Sequence, residues 1–590
     1  MGPRDPAFVT PLVKHLLNTR RLLFRKRKVQ EANALADRIN VLISDIRSKS
    51  LSKLKNGSSR ELWQAVKPSK ISGTCNYDAV LGNVNAVNLY FSNICTNGNL
   101  VQVSNLSADH VYDRVNTRTS TDLISSGTLD HIMVELMLRK VKSTSPGLDN
   151  IPSWIFQKCS YELAEVICHI FNYSLECHNI PDQWRKAVVT PIPKTKKPIA
   201  ISDFRPISVT PILSRVLEKH IVAQYIQPVL PFNLLCDQFA FKPTGSTTCA
   251  LVYLLHNVTK LLENNSYVRC LTIDFTKAFD VIDHDTLLKK MLNLTVHVSP
   301  NIISWISSFL RGRSQVVRYK GYLSDPCSIN RGIVQGSGIG PALFAIMISD
   351  LTTISVMNLL CKFADDVNLL SPETADIGLD DEFSNICRWA SLNKMNINFS
   401  KTKEIVFHRP NPRSFIPPIN LLHIERVNEI KMLGVSISGS LKFDAHVKSV
   451  LSQCSQRLYL LKQLKNQGLP INKLDEVYSA LIVSKIRYAL PAWGGFLSVN
   501  LCNMINGFFK RSFKFHLTSK LYDINELITD SDKTLFNAIN TPGHCLHNLL
   551  PERRTTQYEL RGRGHDLLTP HIQSTLHKSS FINRCVFNFR

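Results

Sequence analysis

No stretch of this chain reaches the roughly 18 uninterrupted apolar residues that a membrane-spanning helix needs. The start, Met1-Gly2-Pro3-Arg4-Asp5-Pro6, carries no apolar signal core either. The expectation is a protein of the cytoplasm and nucleus with no membrane partner. Paired cysteines are also lacking: the fifteen cysteines are odd in number, and none lies closer than nine positions to the next, as at Cys159, Cys168 and Cys177. That spacing excludes C-x-x-C zinc pairs, and in a reducing compartment no disulfide framework is expected. His544, Cys545 and His547 cluster late in the chain, but not at finger spacing, so no zinc is expected there. A G-x-x-x-x-G-K-[ST] phosphate loop, an H-x-E…C-x-x-C deaminase pattern and a Ser-His-Asp order are missing, as are internal repeats and low-complexity blocks.

Acidic residues are scarce. Against 70 Lys and Arg stand 46 Asp and Glu, a net charge of +24. Such an excess favours a polyanionic partner, whose binding would weaken steeply with salt. The 590 residues exceed one ordinary core, and 44% hydrophobic content is that of a globular protein.

Hydrophobic periodicity predicts a helix over 12–50, carrying the basic run Arg25-Lys26-Arg27-Lys28. That run reads either as a solvated helix face or as an arm that tracks phosphates. A polar stretch at Lys53–Ser59 reads as a hinge, and Ser143–Asp149 as a turn followed by helix through Cys177. Further helices are expected over Arg215–Gln227, Thr248–Leu262 and 442–490. Strands are expected at Tyr267–Ile273, Glu404–Phe407 and Lys431–Ile437. Leu359–Phe363 and Val367–Leu370 flank Ala364-Asp365-Asp366 as a hairpin. Trp154, Trp184 and Trp305 read as core. Beyond about 530, polar, His-rich and Arg-rich residues predict a weakly ordered tail. The class is α+β with an antiparallel sheet in the middle.

Two features carry chemistry. Asp274 ends a buried strand, and Asp365-Asp366 stands at a hairpin tip. Each alone reads as a place where the chain surfaces, since Asp is a favoured turn residue. Together they are more informative. Strands lie about 5 Å apart, so strand-end carboxylates of one sheet can share metal ions. Paired magnesium ions can clamp an in-line phosphoryl displacement.

In chain order from Leu138 to Trp493, the motifs resemble those of reverse transcriptases of non-LTR retrotransposons, in the Jockey-like group. Ser143–Pro152, Pro193-Lys194, Phe204–Ser208 and Asp237–Lys242 with Ser246-Thr247-Thr248 are similar to the finger blocks. Leu271–His284 (LTIDFTKAFDVIDH), Gly332–Ser337 with Gly340–Phe344, Phe363–Asp366, Asn398–Thr402 and Leu433-Gly434 are similar to the palm motifs. Val334 and Ala240 depart from the proline and glycine common in relatives.

The resemblance implies a right-hand polymerase fold of fingers, palm and helical thumb. Its expected parts are a basic helical extension over 1–60, a linker over 61–135, fingers and palm over 136–440, a thumb over 441–530 and a basic tail over 531–590. The implied activity is RNA-directed DNA polymerisation, with template RNA, primer DNA and dNTPs as partners. Two Mg2+ ions, or Mn2+ in their place, would be held by Asp274, Asp365, Asp366 and the Phe275 carbonyl. Lys194 and Arg205 would grip the triphosphate, since a guanidinium fork matches two phosphate oxygens. Gln335 and Gly336 would lie against the nucleotide, Phe279 beneath its sugar, and Lys401 would protonate the leaving pyrophosphate, with Lys403 a competitor. The chain starts in what resembles the linker after an endonuclease, so no endonuclease domain is expected. A repurposed nucleic-acid-binding protein and a maturase-like protein are the alternative readings.

Overall fold

The computed structural model describes residues 10–52, 61–63, 77–96, 128–195, 197–230, 235–294, 298–410, 415–554 and 564–589. The organising element is β3 (Tyr267–Ile273), the middle strand of a five-stranded sheet. Around it come β1 (Lys186–Pro193), β2 (Phe204–Val209), β4 (Arg313–Tyr319), β5 (Tyr322–Leu323), β6 (Cys327–Ile329), β7 (Leu359–Phe363), β8 (Asp366–Pro372), β9 (Lys403–His408), β10 (Glu425–Arg426), β11 (Glu429–Met432) and β12 (Val435–Ser438). The central sheet runs β10-β9-β3-β8-β7, with β3 antiparallel to both neighbours. A second sheet runs β2-β1-β4-β5, with β6 also on β4. This is the α+β hand-like architecture expected, with the antiparallel sheet as palm.

Both faces of β3 are buried, which is why its sequence reads as a nearly continuous apolar run. Val268 and Cys270 point into one core, shared with the helix Thr247–Leu261 and the helices after residue 444. Leu271 and Ile273 point into the other, shared with the helices Ser160–Glu176, Pro300–Leu310 and Gly340–Met347. Successive strand residues face opposite ways, so one strand couples the two cores.

One buried charge cluster ties β3, β9 and β10 together. Glu404 on β9 is fully buried and accepts hydrogen bonds from Arg269 on β3 (2.6 Å) and from Arg426 on β10 (3.0 Å from Nε). Two guanidinium forks on one carboxylate leave few of its lone pairs unmet.

Several expectations need correction. The single helix over 12–50 is two, Pro11–Arg25 and Val29–Ser52, broken where Arg27 adopts φ 59°. The proposed hinge at Lys53–Ser59 lies outside the described residues. Trp184 and Trp305 are buried, but Trp154 is 58% exposed. Its six-residue helix buries Ser153 and Phe156 instead. The expected strand Lys431–Ile437 is a hairpin of β11 and β12. Its two loop residues, Leu433 (φ 46°) and Gly434 (φ 89°), are both left-handed, the signature of a type I′ turn.

The C-terminal region is folded where a weakly ordered tail was expected. The helix Ile524–Ile539 packs in the same core as the helix Phe581–Asn588 through Phe581, Ile582, Cys585 and Val586. Arg584 forks onto Asp532 at 2.8 and 2.9 Å. Those apolar residues recur at helical spacing beneath a polar composition, and the average hid them.

Glu404→Gln tests the buried cluster. It keeps the shape but leaves two guanidiniums without their counter-charge, and should cost about 3–5 kcal/mol. Thermal unfolding of the full chain should show a clear fall in Tm. An unchanged Tm would mean that the cluster contributes no net stability.

Candidate active site

The registers bring the aspartates together. On β3 and β8, Thr272 pairs with Asn368 and Ile273 with Val367, so the next pair along is Asp274 with Asp366. Polarity rises along this face of the ladder. Cys270 opposite Leu370 is apolar, Thr272 donates a hydrogen bond to Asn368 Oδ1 at 3.0 Å, and then the carboxylates follow. Asp365 sits in the tip joining β7 and β8, where Phe363 pairs with Asp366 across a two-residue loop. Ala364, the first loop residue, has φ 56°, as type II′ turns require. Its N–H donates to Gln238 Oε1 at 3.1 Å, and Gln238 pairs beside Lys362 on the hairpin's outer strand. Lys362 is itself buried against Asp237 at 2.9 Å and the Leu351 carbonyl at 2.6 Å. The segment Asp237–Ala240 therefore clamps the hairpin that presents Asp365.

Crowded carboxylates resist ionising together. Burial, then the charge of Asp274, raises Asp365 above the usual carboxylate range. The protein packed around Asp366, then the charges of Asp365 and Asp274, push it up to about 6, although its side chain still meets solvent. Each shift reflects burial first and carboxylate repulsion second, and a bound cation would offset both.

The strand end is wrapped by the segment after the helix Leu379–Leu392. The Asn398 N–H donates to the Asp274 carbonyl at 2.8 Å, and the Thr276 N–H to the Asn396 carbonyl at 2.8 Å. Alternation along the chain then turns the Phe275 carbonyl the other way, while its ring is buried edge-on to Trp389. Lys401 reaches Asp274 Oδ2 at 3.6 Å and is 69% exposed. Lys403 instead pairs with Glu425. Geometry thus separates the two lysines.

Cations gather opposite the carboxylates. Lys194 follows β1, and its ammonium donates to the Ser202 carbonyl at 2.7 Å. Burial, then its neighbours Lys401, Arg205 and Lys277, lower its pKa from the ordinary lysine value. Arg205 is the partner of Ile192 across β1 and β2, and its charge offsets the upward shift of Asp365. The structure brings together Asp274, Asp365, Asp366, Lys194, Arg205 and Lys401.

Gln335 and Gly336 line the same region, held by protein contacts. The Ser208 N–H donates to the Gln335 carbonyl at 2.9 Å, and Gln335 Nε2 donates to Asp280 Oδ1 at 2.8 Å. Gly336 has φ 120°, and a Cβ there would lie 2.3 Å from the Ser208 carbonyl oxygen. Its close approach is to β2. Phe279 is half-buried, stacked on Phe344 with centroids 4.2 Å apart and edge-on to Phe241 at 6.2 Å.

Three residues here had no role in the sequence reading. Gln238 holds the hairpin. Asp280, which burial pushes up to about 6 against the Gln335 hydrogen bond, orients that glutamine. Phe241 extends the Phe279–Phe344 stack to the surface. Gln238 and Phe241 stood within the quoted DQFAFK segment and Asp280 within LTIDFTKAFDVIDH, but pattern alone does not distinguish a positioning residue from its neighbours.

Residues 192–437 match the family model described as reverse transcriptase (RNA-dependent DNA polymerase). The chain is 26% identical over 395 residues to a probable RNA-directed DNA polymerase from transposon BS of Drosophila melanogaster, covering 63% of this chain and 43% of that protein. It is 25% identical over 400 residues to the RNA-directed DNA polymerase from mobile element jockey of the same species, covering 63% and 42%. The chain therefore spans less than half the length of these curated relatives. With the aspartates, hairpin and cation cluster in the order found above, residues 192–437 constitute a reverse transcriptase domain whose relatives are the RNA-directed DNA polymerases of non-LTR retrotransposons.

Proposed function

We propose that this chain extends a primer 3′-hydroxyl on an RNA template, joining it to the α-phosphorus of a dNTP and releasing pyrophosphate. The observation that carries this reading is the meeting of Asp274, Asp365 and Asp366 at one end of the sheet, faced by Lys194, Arg205 and Lys401. Carboxylates alone would repel a triphosphate, and cations alone would only bind one. An all-oxygen donor set suits Mg2+, with Mn2+ as a substitute. When bound, two such ions stabilise the attacking and leaving oxygens of an in-line displacement.

Asp274 and Asp365 would hold the metal pair, with Asp366 and the Phe275 carbonyl in support. Lys194 and Arg205 bind the triphosphate and orient its α-phosphorus. Lys401, solvent-reached and beside Asp274, gives its proton to the pyrophosphate oxygen as the bond to the α-phosphorus breaks. Gln335, oriented by Asp280, and Gly336 shape the floor under the nucleotide. Phe279 closes the space that a ribose 2′-hydroxyl would occupy, its ring backed by Phe344.

Asp274→Asn or Asp365→Asn keeps shape and removes ligand charge. If each carboxylate stabilises the transition state by about 3 kcal/mol or more, primer extension with magnesium should fall at least about a hundredfold. RNA binding and Tm should stay near wild type. Near-wild-type extension by either variant would remove the metal assignment.

Phe279→Ala separates a sugar gate from plain packing. A gate predicts that ribonucleotide incorporation rises relative to deoxynucleotide by about 10-fold or more, since steric exclusion of one small group is worth about 1–3 kcal/mol. A ring that only packs predicts an unchanged ratio and a lower Tm, by less than the about 3–5 kcal/mol that truncating a fully buried phenylalanine costs.

A further inference from the structure

Far from the aspartates, two thiols and an imidazole meet in the interior. Cys249 lies in the first turn of the helix Thr247–Leu261, while His544 and Cys545 follow the helix Ile524–Ile539. All three residues are under 9% exposed. Among the described residues, Cys249, His544 and Cys545 form the one group of three or more side chains whose metal-ligating atoms all lie within 4.8 Å of one another. Cys545 Sγ and His544 Nδ1 are 4.0 Å apart. Ligands at about 2.3 Å for sulfur and about 2.0 Å for nitrogen around a tetrahedral ion stand about 3.6–3.8 Å from each other. The Cys545–His544 pair is thus within about half an ångström of the spacing in a filled site.

We infer that Cys249, His544 and Cys545 bind a zinc-type divalent ion that fastens the C-terminal region to the palm.

The local geometry of Cys249 suits a thiolate ligand. Cys249 sits at a helix N-terminus, where its N–H donates to Ser246 Oγ at 3.1 Å, and the same hydroxyl donates to its sulfur at 3.1 Å. The positive end of the helix stabilises a thiolate there. Two sulfurs and a nitrogen select zinc over magnesium or calcium.

Metal binding would release the two thiol protons to solvent. It would also replace the hydrogen bond that His544 Nδ1 accepts from the Leu546 N–H at 3.2 Å. A fourth position falls to water or to the Thr244 carbonyl, which already accepts from Cys545 Sγ at 3.3 Å and Cys249 Sγ at 3.6 Å. The Cys545 N–H also donates to Thr244 Oγ1 at 3.0 Å, across 301 positions of sequence. Cross-linking points so distant restrains the unfolded chain strongly.

The test uses the full chain purified from zinc-supplemented cells, with metal content, cobalt substitution and Tm as readouts. Expected are one zinc per chain, a tetrahedral cobalt spectrum with thiolate charge transfer, and a Tm that falls on chelation. Cys249→Ala and Cys545→Ala should lose the ion and the effect of chelator on Tm. Cys177→Ala, at an exposed site, and Asp365→Asn should keep both, which separates this ion from any at the polymerase site. If an alanine variant does not fold, His544→Asn and Cys545→Ser, closer in size, take its place. Metal-free wild type that fails to take up cobalt, a Cys249–Cys545 disulfide found by mass spectrometry, or a Cys545→Ala protein that keeps its zinc would each overturn the inference.

Discussion

Burial of β3 on both faces is the constraint from which the site follows. A strand covered on one side can slip or fray at modest cost, but here a one-residue shift would turn Val268 and Cys270 into the wrong core together with Leu271 and Ile273. The register with β8 and β9 is therefore strongly fixed, and with it the point where the strand ends. Asp274 stands at that point because the sheet leaves the core there. The same ladder that hides Cys270 opposite Leu370 presents Asp274 beside Asp366 four pairs later.

Holding the carboxylates there has an electrostatic cost, visible in the upward shifts of Asp365 and Asp366. The fold tolerates it by two means. Cations from three separate segments, Lys194, Arg205 and Lys401, bring compensating charge without closing the site into a neutral cluster. The hairpin is fixed from behind by Gln238 and by the buried pair of Lys362 with Asp237, so repulsion at the tip does not simply move the loop. Positions that look like ordinary packing thus set the geometry at which phosphate and metal would meet.

The C-terminal region belongs to the same mechanical unit. Its last helix packs on the core that backs the Val268 and Cys270 face of β3, and Arg584 locks onto Asp532 on the neighbouring helix. The loop at His544 and Cys545 touches Thr244 and Cys249, just before and within the helix that lies under the sheet. Restraint at that junction is carried to β7, because the Asp237–Ala240 segment precedes it and pairs with Lys362.

Local pattern was enough for much of this. The apolar run Tyr267–Ile273, the two short runs around Ala364-Asp365-Asp366 and the three-to-four spacing over Thr248–Leu262 gave elements within a residue or two of those found, because each is decided by which neighbours are buried. Motif order located Asp274, Asp365, Asp366, Lys194, Arg205 and Lys401. Composition misled where it averaged over an amphipathic helix, as in Phe581–Asn588, and β2 and β4 escaped notice because prolines and charges interrupt their apolar pattern. Long-range placement could not be read at all. That Gln238 caps the hairpin, that Lys403 turns to Glu425 while Lys401 faces Asp274, and that Cys249 meets Cys545 depend on packing between segments far apart in sequence. The sequence by itself determined which residues carry charge, sulfur and apolar surface and the period at which they recur; the tertiary structure alone decided which of them meet, because contact distance is set by how two cores close on one doubly buried strand.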